Sequence, residues 1–367
     1  MIGFRRFALV LAGMALSAAA HAAVLTAGNG GTYATLADAV AAALAGDTIL
    51  VEPGIYTNQV ATINIPLTIE GAGSAGQVVF NQTDAELPGL KGYLVTNADT
   101  TVENITFENA AVSLGDGDNG AGIRYQSGNL TVINSQFNDN QEGILATPAT
   151  MGTGSIVITN SSFNGNGVAS GPLSGFEHGI YIGMVASLTV SGSSFVGTLA
   201  GHDIKSRAET STITGNYLDD GVTGTASYAI DLPDGGADAV SNNIIDQGPN
   251  TENYTMIAYS EEDTDNQTWA NNSLLVSGNL FENSNYYAIG VNNYSSSVTA
   301  ILSCNAFDNV EQIANGSATL ENNVINGAVP ACGQQLAPEP PGLASTIAGL
   351  PLLAFIRGRR RRRRLVA

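Results

Sequence analysis

The sequence has few basic, sulfur-containing and indole side chains for its 367 residues. It contains 13 Lys and Arg against 32 Asp and Glu, which gives a formal net charge of −19. So acidic a chain is excluded from binding nucleic acid through a basic surface. Its two Cys and three His form no CxxC or His–Cys motif, so the common zinc patterns are absent. Calcium is compatible with many carboxylates, but no motif supports it, and the cofactor stays unknown.

The few basic residues are unevenly distributed. Two lie near the N-terminus, and seven lie between positions 357 and 364. The remaining four are Lys91, Arg124, Lys205 and Arg207, whereas this central part keeps 31 of the 32 acids. Where the four basic residues lie is therefore informative.

The N-terminus carries an export signal. Arg5 and Arg6 precede an apolar run, Phe7 to Leu16, and the small-x-small sequence Ala20-His21-Ala22 follows. This order predicts a secretory signal peptide over residues 1–22, removed by signal peptidase. A membrane anchor is the alternative, but the apolar run is short.

The C-terminus has three parts, assigned to residues 335–367. Pro338-Glu339-Pro340 is followed by an apolar stretch at 343–356 and then by an Arg cluster. This order resembles the PEP-CTERM sorting signal of Gram-negative bacteria. The resemblance implies recognition by an exosortase, removal of the tail, delivery to the cell surface or extracellular matrix, and membrane contact only through this transient segment. The apolar run is interrupted by Pro351 and is shorter than the roughly 20 residues that span a bilayer comfortably.

Export also bears on the two cysteines. Cys304 and Cys332 would enter an oxidising compartment, where disulfides persist. We therefore predict that a disulfide joins them.

A repeat runs through the central part of the chain. An aliphatic residue is followed five places later by a second large apolar residue, and this happens nine times at intervals of 18 to 36 residues. Asn, Gly or Cys stands two places after each first residue, where a turn is expected. The pairs are Val102 and Phe107, Val132 and Phe137, Ile158 and Phe163, Val190 and Phe195, Ile213 and Leu218, Val240 and Ile245, Val276 and Phe281, Leu302 and Phe307, and Leu320 and Ile325.

Variable spacing with constant local alternation indicates a solenoid whose loops absorb the length differences. The apolar alternation has period two, so the units are strands. We predict an all-β fold, a right-handed single-stranded parallel β-helix over residues 23–334. A short helix within Thr35 to Leu44 would cap its N-terminal end. The run 41–73 resembles the opening of pectin-lyase-like β-helix proteins, a fold that hosts many reactions.

Six segments align on an inward-facing isoleucine. These residues are Ile123, Ile144, Ile180, Ile204, Ile230 and Ile289. The next residue of each segment should face outward, which gives the column Arg124, Leu145, Tyr181, Lys205, Asp231 and Gly290. Arg207 lies two residues along from Lys205 on the same face. His178 and His202 stand two places before their isoleucines. Parity alone points them inward, so their direction is left open.

This face suits an anionic polysaccharide, because Lys and Arg pair with carboxylates. A β-elimination needs a base and a proton donor. Lys205, its pKa lowered by Arg207, is the candidate base, and His202 or Tyr181 is the candidate donor. The neighbouring Lys and Arg resemble the arrangement in chondroitinase B and related alginate lyases. Candidate substrate-binding residues are Arg124, His178, Glu177 and Asp234.

Two other interpretations stay open. Asp231 with Asp234 or Glu177 could be a hydrolytic carboxylate pair, although polygalacturonase motifs are absent. Alternatively, Asp231 could pair with Lys205, and Asp203 or Glu177 with Arg207, as structural ion pairs. The block GHDIKSRA at 201–208 resembles uncharacterised bacterial β-helix proteins, a likeness that implies fold and a shared site but no reaction.

The functional expectation is an exported surface or matrix protein that engages polysaccharide. It is a polysaccharide lyase if catalytic, and otherwise a carbohydrate-binding or structural biofilm-matrix protein. An enzyme should bring Lys205, Arg207, a His and Asp231 together with the imidazoles accessible. A binding protein should instead expose aromatic side chains such as Tyr286, Tyr287 and Tyr294.

Overall fold

The computed structural model describes residues 22–84, 86–88, 91–330 and 332. This part of the chain winds into a right-handed parallel β-helix whose strands form three sheets, named here A, B and C. The predicted fold class is confirmed. The signal peptide at 1–22, apart from residue 22, and the sorting segment at 335–367 lie outside the described residues and stay predictions.

Each coil contributes about one strand to each sheet. Sheet A consists of Val24–Ala27, Thr48–Val51, Leu67–Gly71, Thr100–Glu103, Leu130–Ile133, Ser155–Thr159, Ser187–Ser191, Thr210–Thr214, Ala237–Ser241, Ser273–Ser277, Ala300–Ser303 and Ala318–Glu321. Sheet B consists of Gly54–Thr57, Val78–Asn81, Thr106–Glu108, Gln136–Asn138, Ser162–Asn164, Ser194–Val196, Tyr217–Asp219, Ile244–Gln247, Leu280–Asn283, Ala306–Asp308 and Val324–Ile325. Sheet C consists of Ala61–Ile63, Gly92–Thr96, Ala121–Tyr125, Glu142–Ala146, Ile180–Ile182, Ile204–Ser206, Ile230–Leu232, Thr255–Tyr259, Ile289–Asn293 and Gln312–Asn315.

The repeat read from the sequence corresponds to the corner between sheets A and B. The first residues of the nine pairs stack in register in sheet A, and the second residues stack in sheet B. The turn residue between them has a positive φ in every repeat, for example 58° at Asn104 and 57° at Asn242. Asn and Gly tolerate this left-handed backbone best, which explains why they recur there.

Two stacks fill and close this corner. The buried rings of Phe137, Phe163 and Phe195 lie parallel, with centroids 4.6 Å apart at each step. On later coils of the same corner, Asn279 donates from Nδ2 to Asn305 Oδ1 at 3.0 Å, and Asn243 donates in the same way to Asn279. The asparagine stack therefore satisfies buried amides across successive coils.

The N-terminal end of the β-helix is covered by one helix, Leu36–Ala42, which is shorter than the predicted range. Thr35 caps it by accepting a hydrogen bond from Asp38 N, and Leu36 and Ala39 are buried against the first coils. A 3-10 turn follows later, at Leu114–Asp116. Near the other end, a disulfide joins Cys304 and Cys332, whose Cα atoms are 6.1 Å apart. Among the described residues, no helix is long and apolar enough to cross a membrane.

Candidate functional site

The outer face of sheet C carries the column that the sequence predicts, with one correction. Arg124, Leu145, Tyr181, Lys205 and Asp231 are register partners on five successive strands. The column then continues to Ala258 and Asn292. Placing Gly290 in it was wrong, because Ile257 pairs with Val291 and shifts the last strand by two residues.

His178 and His202 lie on this outer side, although strand parity points them inward. After His178 the inward position is taken by Gly179, where a Cβ would come within 3.1 Å of Phe195; after His202 the corresponding residue is Asp203. The backbone therefore departs from regular alternation before the strand begins. The imidazole of His178 then stacks near Tyr181, and that of His202 reaches Asp231.

The two imidazoles form a buried stack with Tyr228. The ring centroids of His178 and His202 are 4.9 Å apart, and those of His202 and Tyr228 are also 4.9 Å apart. His178 Nδ1 accepts the backbone N–H of His202 at 3.0 Å, and His202 Nδ1 accepts that of Tyr228 at 3.1 Å. Since each Nδ1 is an acceptor, the proton of each neutral ring is on Nε2.

This arrangement keeps both histidines uncharged. Burial, together with the nearby charges of Lys205 and Arg207, holds the pKa of both imidazoles well below its usual range. A proton on Nδ1 would also face a backbone N–H. The imidazoles are therefore poor proton donors, which counts against the donor role suggested for His202 from the sequence.

Lys205 is the centre of a buried ion-pair network. Its Nζ lies 2.7 Å from Asp231 Oδ2 and 3.3 Å from Glu262 Oε1. Burial lowers the Lys205 pKa, but the two carboxylates outweigh it, and the pKa is raised. The expectation that Arg207 would lower the Lys205 pKa enough to make a base was wrong, because the attraction of Asp231 and Glu262 outweighs the repulsion by Arg207.

Asp231 is fully buried between Lys205 and His202. Its Oδ2 lies 3.3 Å from His202 Nε2, whereas its Oδ1 has no hydrogen-bond partner in the described part of the chain. Burial raises the pKa of Asp231 to about 7, although Lys205 acts in the opposite direction. Burial and the ion pair with Lys205 thus act on the Asp231 carboxyl in opposite directions, at a position that solvent does not reach.

Arg207 is held by three partners at the edge of the same face. Its Nη1 donates to Asp234 at 2.7 Å, its Nη2 donates to Glu262 at 2.7 Å, and its Nε donates to Tyr181 Oη at 3.0 Å. The guanidinium is thus fixed in one orientation. The ion-pair interpretation holds for Lys205 with Asp231, whereas the partners proposed for Arg207, Asp203 and Glu177, are replaced by Asp234 and Glu262.

Glu262 was missed from the sequence. It lies in the strand-free segment 260–272, between a strand of sheet C and a strand of sheet A, far along the chain from Lys205. In a chain with so many scattered acids, the run Glu261-Glu262-Asp263 does not stand out. Glu261 accepts a hydrogen bond from Tyr228 Oη at 2.9 Å, so the start of this segment contacts the face twice.

Arg124 and Glu177 belong to a separate part of the face. Arg124 is three strands from Lys205, as predicted, and burial lowers its pKa while Glu142 opposes that change. Glu142, also missed from the sequence, is buried and accepts the backbone N–H of His178 at 3.2 Å. Burial raises the pKa of Glu142 well above its usual value and that of Glu177 to about 7. Among the described residues, none of the three forms an ion pair with the Lys205 network, although the charge of Lys205 also acts on Glu142.

A cleft opens beside Arg207. Its volume is about 440 Å³; Arg207 and Glu262 provide its charged groups, and Tyr181 and Thr147 provide hydroxyls. The remaining wall is small or apolar: Ala146, Pro148, Met151, Gly183 and Met184. Such a mixture suits a ligand with both apolar ring faces and polar substituents.

Aromatic side chains are exposed at the edge of sheet C where the strands begin, opposite to the cleft beside Arg207. Tyr254 packs edge-to-face against Tyr286 and Tyr287, and Tyr286 is 75% exposed. Tyr294 is also partly exposed. The structure thus combines the convergence expected of an enzyme with the exposed aromatics expected of a binding protein, while the imidazoles are buried. Across residues 22–84, 86–88, 91–330 and 332, no group of three or more His, Cys, Asp or Glu side chains is arranged to hold a metal ion.

Comparisons with known proteins concern the fold. No family model and no curated protein matches the sequence. Among solved structures, the chain is similar to ORF18 of Geobacillus virus E2, with a TM-score of 0.49 and 13% identity over 78% of this chain and 56% of that one. It is similar to a mutant of the PL6-family alginate lyase AlyGC, with a TM-score of 0.46 and 16% identity over 82% of this chain and 39% of that one.

A third similar structure is the pectate lyase Pel9A, with a TM-score of 0.49 and 15% identity over 85% of this chain and 82% of that one. The chain spans about half the length of ORF18 and less than half of the alginate lyase. At these identities the similarity is one of coil arrangement, and any function must come from the residues of the site.

Proposed function

We propose that the protein binds an acidic polysaccharide along the outer face of sheet C, without cleaving it. The observation that carries this proposal is the cleft beside Arg207. There an oriented guanidinium and a tyrosine hydroxyl lie next to an apolar wall that includes Pro148 and Met151. A uronate sugar presents the matching groups, namely a carboxylate, hydroxyls and an apolar ring face.

Lyase activity is the weaker candidate. Elimination by Lys205 would need an unprotonated amine with access to substrate, but two carboxylates hold Lys205 protonated and its side chain is only 10% exposed. The neighbouring His202 is neutral and uses Nδ1 to accept a backbone hydrogen bond. These features support a rigid binding surface more than an acid–base centre.

The proposal includes export to the surface or extracellular matrix of a Gram-negative bacterium, with processing by signal peptidase and an exosortase. The sequence features at the two ends support it. The disulfide between Cys304 and Cys332 adds independent support, because such bonds persist mainly in oxidising compartments. Fractionating cells of a Gram-negative host that express the full chain, with and without an exosortase, tests this part. Retention in the cytoplasm would contradict it.

Binding is tested with the protein lacking both predicted processed ends. Isothermal titration against polygalacturonate, polymannuronate and neutral glucan should give heat with the uronates only. Met151→Glu places a negative charge in the cleft at a half-exposed position and should weaken uronate binding about tenfold or more. Ile55→Glu, an exposed site on sheet B, is the matched control and should leave binding unchanged.

The same mixtures are followed by ultraviolet absorbance for unsaturated sugar ends. Absorbance that grows with time, and that Lys205→Ala abolishes, would replace the binding proposal with the lyase one. Absence of binding to every uronate polymer would contradict both.

A further inference from the structure

Three carboxylates contact the Lys205–Arg207 pair, and one of them is much more exposed to solvent than the other two. The side chains of Asp231 and Asp234 are 0% and 7% exposed, whereas that of Glu262 is 46% exposed. Asp231 lies in a strand of sheet C, and Asp234 lies two residues after the end of that strand. Glu262 instead reaches in from the segment 260–272, so it is the carboxylate that can leave.

The charge balance supports this distinction. Lys205 pairs with Asp231 and Arg207 pairs with Asp234, one carboxylate for each cation. Glu262 is a third carboxylate, and it bridges both cations through its two oxygens, at 3.3 Å to Lys205 Nζ and 2.7 Å to Arg207 Nη2. We call the space between Lys205 Nζ and Arg207 Nη2 the fork. The fork therefore holds a carboxylate that neither cation needs for pairing.

The position of this third carboxylate coincides with the cleft. Arg207 and Glu262 both line it, and Tyr181, which accepts a hydrogen bond from Arg207, lies on the same wall. A ligand in the cleft thus lies beside the fork. Its own carboxylate could enter from the open side without disturbing Asp231 or Asp234.

We propose that the carboxylate of a bound uronate takes the place of the Glu262 carboxylate between Lys205 Nζ and Arg207 Nη2. This inference rests on the proposed binding of an acidic polysaccharide and adds the position of the anion and the internal group that it displaces. Exchange of one carboxylate for another leaves the charge of the network unchanged. It therefore avoids the cost of burying an unpaired ion.

Glu262 can leave without unfolding its segment. Its backbone N–H donates to Pro233 O at 3.0 Å, and that of Asp263 donates to the same oxygen at 3.2 Å. The Asp263 carboxylate in turn accepts the backbone N–H groups of Gln267 and Thr268. The backbone stays anchored, so a rotamer change of Glu262 is sufficient, and exposed side chains make such changes rapidly.

An internal competitor lowers apparent affinity by the fraction of molecules in which the fork is free. If Glu262 occupies the fork about nine-tenths of the time, its removal strengthens binding about tenfold. Glu262→Gln keeps the shape and removes the charge, and Glu262→Ala removes the contact altogether. Asp265→Asn is the matched control, because it makes the same charge change at an exposed position of the same segment.

The experiment is isothermal titration of these variants and the parent protein with a trigalacturonate and with its methyl ester. Tighter binding of the acid by both Glu262 variants, with no change for Asp265→Asn or for the ester, supports the displacement. If the parent protein binds the acid and the Glu262 variants bind it equally or more weakly, the inference is overturned while the proposed function stands. If no variant binds either probe or any uronate polymer, both are overturned.

Discussion

Lys205 Nζ lies 2.7 Å from Oδ2 of Asp231 on the next coil, and neither side chain is exposed beyond a tenth of its surface. The pair joins two strands of sheet C at adjacent register positions. It also holds the segment 260–272 through Glu262. One lysine therefore connects two coils and one loop, and its removal should lower the free energy of unfolding.

Replacing Lys205 with Met is expected to destabilise the protein by about 3–5 kcal/mol at pH 8, because Asp231 is left buried and uncompensated. At pH 5 the loss should be smaller, since burial raises the Asp231 pKa to about 7 even beside Lys205, and without Lys205 the pKa rises further, so the carboxyl is protonated there. Urea unfolding at the two pH values measures both quantities.

Lys91→Met serves as the control for this experiment, because Lys91 has no ion pair among the described residues and should cost less than about 1 kcal/mol. A loss below about 1 kcal/mol for Lys205→Met at pH 8 would show that the pair does not stabilise the fold.

The sequence was sufficient for the fold and for one column of the site. Tyr181, Lys205 and Asp231 could be placed in register because each stands next to an aliphatic core residue, and burial fixes strand register strongly. The turns at the asparagines could also be predicted, since few other residues adopt a positive φ without cost.

The remaining site residues could not be derived in this way. Glu262 comes from a loop whose length is not set by the repeat, so no periodicity locates it. The direction of His178 depends on a local departure from strand alternation, which the inward glycine at position 179 permits. The pKa of Lys205 depends on all its neighbours together, and one of them, Glu262, was not identified from the sequence.

The histidine stack gives a spectroscopic prediction. In ¹⁵N spectra, Nδ1 of His178 and His202 should stay unprotonated and Nε2 protonated from pH 8 to pH 5.5, because both pKa values are well below the usual range. Appearance of a cationic imidazole signal from either residue above pH 5.5 would contradict the proposed hydrogen bonds.

The same stack has a linked effect on stability. A folded pKa below the unfolded value of about 6.5 means that the unfolded chain binds more protons at low pH, so these groups lower stability as pH falls below about 6.5. His178→Ala should also cost about 1–3 kcal/mol at pH 8, since the N–H of His202 loses its acceptor. His178→Asn offers a carbonyl oxygen in place of Nδ1 and should recover part of that loss in urea unfolding.

Arg207 is predicted to control the mobility of the segment 260–272. Arg207→Lys keeps the charge but cannot contact Tyr181, Asp234 and Glu262 together, because an ammonium lacks the planar fork. Amide hydrogen exchange of the segment should become faster by about threefold or more, while exchange in sheet A stays unchanged. Equal exchange in both proteins would mean that the Pro233 contacts alone hold the segment.

Sheet B carries an acidic ladder that makes a further pH prediction. Asp219, Asp246, Glu282 and Asp308 are register partners on successive strands, so like charges stand about 4.8 Å apart. Burial, followed by the charges of Asp219 and Glu282, raises the pKa of Asp246 to about 7. The folded state therefore binds more protons than the unfolded chain between about pH 4 and 7, and stability falls as pH rises through that range.

Asp246→Asn removes this pH-dependent loss of stability, because the amide carries no charge at any pH. The variant should match the parent protein at pH 4 and exceed its Tm by roughly 1–3 °C at pH 8, the range expected for relief of a cross-strand like-charge contact. Scanning calorimetry at both pH values measures the difference, with Asp265→Asn as a control for net charge. If the two asparagine variants shift the Tm equally at pH 8, the effect comes from overall charge rather than from the ladder.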